Sequence, residues 1–145
     1  MEETIMKTNA MNLLNELNAT GLVFTKTLEM TAALSKYLDA IRADYSKNNQ
    51  DRNKLNDIQL QVQTEMTETF NKGLSVEEGK AYYKIVTRSG SSRSVHSFIV
   101  KENGPKFKRG DILKAASWNA PAKNQARGNI FGAYKTLWTG AWYLR

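Results

Sequence analysis

Basic side chains interleaved with aromatics and carboxamides are the one constellation in this sequence that could do chemistry. Lys106, Lys108, Arg109 and Lys114 surround Phe107 and precede Trp118; Lys123 and Arg127 follow, among Asn119, Asn124, Gln125 and Asn129. Lysine and arginine neutralise phosphates, and carboxamides reach phosphate oxygens or base edges. Exposed aromatics stack the bases of single strands. Upstream, Lys84, Arg88 and Arg93 add three more cations, the last two beside a turn. The residues expected to contact an anionic ligand are therefore Lys84, Arg88, Arg93, Lys114, Lys123 and Arg127. If one ligand meets all six, they must converge on one face. Trp118 follows the small residues Ala115, Ala116 and Ser117 and reads as a core indole rather than a stacking platform. The competing reading of the whole constellation is a solvated basic surface around a buried aromatic core.

Other chemistries find little to work with. There are no cysteines, which removes disulfides, thiol catalysis and cysteine-ligated metal, and the single histidine, His96, removes multi-histidine metal sites. No cofactor is expected. No G-x-x-x-x-G-K-[ST] or G-x-G-x-x-G loop is present to cradle a nucleotide. Glu77, Glu78, Glu102 and Asp111 form no acid–base pattern, and Asp111, after a glycine, reads as a carboxylate capping its own turn. His96 sits mid-strand, where a period of two puts it on one face with Phe98 and Val100 and turns Ser97 away. A serine–histidine dyad is therefore not expected, and the chain reads as a non-enzyme.

The charge itself is unevenly placed. The 145 residues carry a net +7, with a pI near 9.6. Residues 1–72 hold eight Lys and Arg against ten Asp and Glu, whereas residues 73–145 hold thirteen against four. The second half also carries ten of the fourteen aromatics, eight of the nine glycines and both prolines. A helical region, 1–72, and a basic, aromatic-rich β module, 73–145, are expected. A basic balance points to nucleic acid or to an acidic protein surface.

The elements that must position these residues follow from periodicity. Leu34, Leu38, Ile41 and Tyr45, then Leu55, Ile58, Val62, Met66 and Phe70, recur at steps of three and four and place apolar stripes on two helices. Met6, Ala10, Leu13, Leu14 and Leu17 make a short helix that Gly21 could end. Helices over 22–46 and 51–71, joined by a polar turn with an N-cap at Asn49 or Asp51, predict an antiparallel hairpin. The stripes read as core, and any surplus apolar surface suits a homodimer through these helices. Residues 81–88 and 95–100, rich in aromatic and β-branched side chains, predict a strand pair around Ser89-Gly90-Ser91-Ser92. A third strand is expected over 112–116, and the aromatic tail from Phe131 to Tyr143 should fold back onto the sheet. The predicted fold class is α+β: an N-terminal helical hairpin with a small C-terminal antiparallel β-sheet module. No apolar run approaches the roughly 18 residues of a membrane span. The acidic start Met1-Glu2-Glu3-Thr4 lacks the basic region of a secretory signal, so a soluble intracellular protein is expected.

The block from Gly110 to Lys123, Gly-Asp-Ile-Leu-Lys-Ala-Ala-Ser-Trp-Asn-Ala-Pro-Ala-Lys, followed by Ala126-Arg127-Gly128-Asn129-Ile130-Phe131, resembles one found in a family of small tailed-bacteriophage proteins. Tyr82-Tyr83-Lys84-Ile85-Val86, Ser94-Val95-His96-Ser97-Phe98-Ile99 and the closing Gly140-Ala141-Trp142-Tyr143-Leu144-Arg145 extend it over residues 80–145. The resemblance implies a phage origin, a compact β-rich module and action in the host cytoplasm; it carries no mechanism. Two functions are expected from different classes. The first is a phage accessory protein whose basic module binds DNA or RNA while its helices self-associate. The alternative is a protein-interaction module, an inhibitor of a host factor or a minor virion component, in which the aromatic tail supplies anchors.

Overall fold

The helical rhythm of the first half and the alternation of the second each produce their own element type. The computed structural model describes residues 2–47 and 54–142, with side chains of the first span described from residue 25. The chain divides into two compact units, Met1–Leu34 and Ser35–Arg145. The first helix, α1, runs Glu2–Lys47 without interruption, so Gly21 does not end it. A glycine inside a helix costs about 1 kcal/mol against alanine, too little to break a helix unless the following residues favour a turn. Met30 and Leu34 of α1 are buried. The second helix, α2, spans Asp57–Gly73 behind a capping box: Asn56 Oδ1 accepts the Gln59 N–H at 2.8 Å, and Gln59 Oε1 accepts the Asn56 N–H at 3.0 Å. That box sets the start six residues later than the sequence reading. Asn49 and Asp51 lie outside the described residues.

The expected antiparallel helical hairpin is not formed. In such a hairpin Tyr45, near the end of α1, would face the first turn of α2. Instead its ring stacks on Phe70, with centroids 4.1 Å apart and planes 4° apart. Phe70 lies about 20 Å farther along α2, at 1.5 Å per residue. The helix α2 packs on the sheet, against strand β2. The architecture is thus α+β only in the broad sense of two helices followed by two sheets. The apolar row of α2 departs from expectation too: Phe70 is buried, but Ile58, Val62 and Met66 are 74%, 49% and 57% exposed.

Four antiparallel strands follow in sequence order: β1 (Ser75–Glu78), β2 (Tyr82–Ser89), β3 (Ser92–Val100) and β4 (Ile112–Lys114). Strand β1, Ser-Val-Glu-Glu, has little intrinsic β character and exists because its register with β2 gives its amides partners. The β2–β3 turn has Gly90 at φ 61° as the first of its two loop residues, the glycine position of a type II′ hairpin. A separate two-stranded ribbon, β5 (Thr136–Leu137) and β6 (Gly140–Ala141), is built from the aromatic tail. Within the second unit, Ile85, Ile99 and Ile112 are buried on the face that Tyr37 of α1 reaches through Ser97, and Ile41 of α1 is wholly buried as well. The opposite face buries Phe98, Val100 and Leu113 under Tyr82, Phe107, Ala115 and Ala126. Among the described residues no helix is long and apolar enough to cross a membrane.

Candidate nucleic-acid interface

Alternation along a strand and register between strands decide which cations can meet. Lys84 pairs with Phe98 and with Glu77, and Arg88 pairs with Arg93, so all three cations sit on the face that carries Phe98. Two arginines directly opposite one another repel, which costs a few tenths of a kcal/mol or more. Glu77 offsets part of that by an ion pair with Arg93. Trp118 joins this face from the turn at 116–120, closed where Ala116 and Ser117 N–H groups both donate to the Ala120 carbonyl at 3.0 Å. The Lys84 ammonium lies 4.3 Å from the indole centroid and the Arg93 guanidinium 5.2 Å. Trp118 nevertheless stays 38% exposed, so it is not the core indole expected from its small neighbours. Pro121 bridges to Ala115 and narrows the loop so that the indole projects from its tip.

A model of one protein family matches residues 20–141 of this chain. The chain belongs to DUF7717, a family of unknown function. No curated protein and no solved structure matches it. All six candidate cations fall within the DUF7717 span, but they do not converge on one face. Lys114 pairs with Ser97 and so projects from the opposite face, where it borders a cavity that Arg127 and His96 also line. Arg88 also borders the groove of about 680 Å³ beneath α2, with Val62, Met66 and Phe70. Lys123 is exposed, and its carbonyl accepts the Lys106 ammonium. The platform at Lys84, Arg93 and Trp118 and the pair at Lys114 and Arg127 are therefore separate sites.

His96 departs from the period-2 expectation. Ile85 pairs with Ser97 and Val86 with Val95, which leaves His96 as the extra residue of a β-bulge. The bulge brings imidazole and hydroxyl to the same face, with Nδ1 2.8 Å from Ser97 Oγ, and separates His96 from the Phe98 face. His96 Nε2 lies 2.6 Å from the Leu137 carbonyl, which can only accept, so Nε2 carries the proton. Nδ1 of the neutral ring then accepts from Ser97, and Ser97 accepts from the Tyr37 hydroxyl at 2.8 Å. Ser97 is wholly buried, so this chain of hydrogen bonds fastens α1 to β3 and to the ribbon and offers no nucleophile to a substrate. Burial pushes the Tyr37 hydroxyl up to about 12, which keeps it a donor. Asp111 behaves as the turn carboxylate anticipated: its Oδ2 accepts the Lys108 N–H at 2.8 Å.

Burial also holds the His96 imidazole below its ordinary value of 6.5, against the opposing pull of the Leu137 carbonyl and Asp44. An unfolded chain takes up the proton near pH 6.5, whereas the folded one resists until lower pH. The stability contributed by neutral His96 is accordingly complete above about pH 6.5 and is lost as pH falls from there to the folded-state value. Urea unfolding at pH 7.5 and 5.5 should show this loss, and His96→Gln should flatten it. An unchanged slope in the variant would assign the acid sensitivity to carboxylates instead.

Proposed function

We propose that this chain is a non-enzymatic phage accessory protein that binds single-stranded nucleic acid through its basic C-terminal module. The observation that carries this reading is an exposed indole flanked by Lys84 and Arg93. A base stacked there lies within reach of two groups that neutralise its own and neighbouring phosphates. Local charge supports it: thirteen cations stand against four acids beyond residue 72, and Glu77 at the platform is paired with Arg93. The block from Gly110 to Phe131 supports a phage origin, and with it action in the host cytoplasm.

Self-association belongs to the same reading. Ile58, Val62 and Met66 are exposed at i, i+4 spacing, the arrangement by which one helix seam buries against another copy of itself. Two modules held together bind one strand with added avidity. The same row also favours the second reading, a module that docks on a host factor or a virion component.

Sedimentation velocity with a fluorescent oligothymidine separates these. The expected result is a dimer that co-sediments with the strand at low salt and releases it as salt rises, with a log–log slope of about −0.7 per neutralised phosphate on single strands. A dimer with no affinity for the strand at low ionic strength would remove the nucleic-acid reading and leave the interaction module.

A further inference from the structure

On the sheet face opposite Trp118, a cavity of about 230 Å³ opens between the end of β4 and the β5–β6 ribbon. Its lining brings together Lys114, Arg127, His96 and Thr139 with no carboxylate among the described residues; Asp44 accepts the Trp138 N–H and acts on His96 from beyond the lining. Arg93 pairs with Glu77 and Lys101 with Glu78, but Lys114 and Arg127, like Lys84 and Lys123, form no ion pair among the described residues. Arg127 is fixed in place. Its backbone N–H donates to the Ile112 carbonyl at 2.7 Å, and its Nη1 donates to the Trp142 carbonyl at 2.9 Å. Its Nε, by contrast, is buried with no hydrogen-bond partner among the described residues. A buried N–H of a charged group left unpaired is costly, and a bound water or ion is one way such a group is satisfied.

We propose that this cavity is a binding site for a phosphate group, carried either as inorganic phosphate or as a phosphate monoester. A phosphate monoester carries a charge of about −1.5 to −2 at pH 7. It therefore balances both cations, whereas a single carboxylate leaves one uncompensated. The guanidinium of Arg127 supplies planar donors suited to phosphate oxygens, Lys114 a mobile point charge, and Thr139 a hydroxyl. The rigid β4 edge and the Trp142 contact hold the guanidinium beforehand, so little ordering is required on binding. The site is independent of the single-strand platform.

His96 is the only histidine in the chain and borders the cavity, so its imidazole resonances report occupancy without assignment of the rest. Titration of the full-length protein with inorganic phosphate should move them saturably, while chloride at matched ionic strength should not. Lys114→Gln removes an exposed side chain that makes no hydrogen bond or ion pair among the described residues, and should weaken phosphate by about tenfold or more, as expected for a hydrogen bond to a charged group. Arg127→Lys should weaken it further. Trp118→Ala should leave the phosphate response intact, which separates this site from the platform. A 5′-phosphorylated dinucleotide that competes with phosphate, where its dephosphorylated form does not, identifies a monoester as a natural source; competition by neither identifies the free ion. A response that does not saturate, or that chloride reproduces, or that Lys114→Gln leaves at full affinity, would overturn the proposal.

Discussion

Replacing Trp118 with alanine is expected to weaken single-stranded oligonucleotide binding by about 10- to 100-fold, the loss of one base–aromatic stack. Thermal stability should barely change. The indole is 38% exposed at the tip of a turn whose backbone hydrogen bonds run between Ala116, Ser117 and Ala120 and do not involve the ring. Lys84→Gln and Arg93→Gln should each cost less and act differently. Each removes one cation near the strand and should lower the steepness of the salt dependence by about one phosphate's worth, with an effect uniform across sequences. Arg93→Gln also releases Glu77 from its ion pair and leaves an unmatched carboxylate beside the platform. Arg93→Gln should therefore weaken binding more than Lys84→Gln, although Lys84 lies nearer the ring. Fluorescence anisotropy over a salt series measures all three. An alanine at 118 that binds as tightly as tryptophan would move any nucleic-acid contact off this face.

Gly128→Ala is expected to destabilise the fold by about 2–5 kcal/mol, combining a left-handed backbone with overpacking. Gly128 has φ 144°, and an added Cβ would sit 2.7 Å from Tyr134 Cβ, 3.1 Å from Tyr134 Cα and 3.2 Å from the Ala133 carbonyl oxygen. Two of those neighbours are backbone and cannot swing aside. The carbonyl of Gly128 also accepts the Ile112 N–H at 2.9 Å, so any shift is felt along β4 and at Arg127 beside it. A loss of melting temperature on the order of 10 °C follows for a unit of this size. Gly90→Ala provides the contrast. Its φ of 61° is also left-handed, but nothing lies within 4 Å of the added Cβ, so about 1 kcal/mol is expected from backbone strain alone. Equal melting temperatures for the two variants would show that conformation, not close approach, sets the cost at Gly128.

Local signals in the sequence located the strands of the hairpin well. Residues 81–88 and 95–100 were marked by aromatic and β-branched side chains, and β2 and β3 occupy Tyr82–Ser89 and Ser92–Val100. Strand β1 carried no such signal, because Ser-Val-Glu-Glu becomes a strand only once β2 offers it an edge. The candidate cations were legible as residue types, but their grouping was not. One extra residue in β3 reverses the alternation there, and no composition or periodicity announces a bulge at His96. The exposure of Trp118 is hidden from the sequence for a related reason: small neighbours suit a tight turn as well as a packed core, and only the turn's placement exposes the ring.

The amino-acid sequence by itself determined that the second half is basic, β-rich and free of thiol chemistry, because charge count, cysteine count and strand propensity are properties of the chain alone. It also determined the apolar stripes of the helices, since a 3.6-residue period is local. Only the tertiary structure decided what those stripes do. The end of α2 stacks on the end of α1 and leaves Ile58, Val62 and Met66 exposed, because burial depends on which surface a helix meets. It likewise decided that the six cations do not form one patch: Lys84 and Arg93 meet at Trp118, Lys114 and Arg127 line a separate cavity, and Arg88 and Lys123 belong to neither. Strand register assigns Lys84 and Lys114 to opposite faces of the same sheet, and register is fixed by partners distant in the chain.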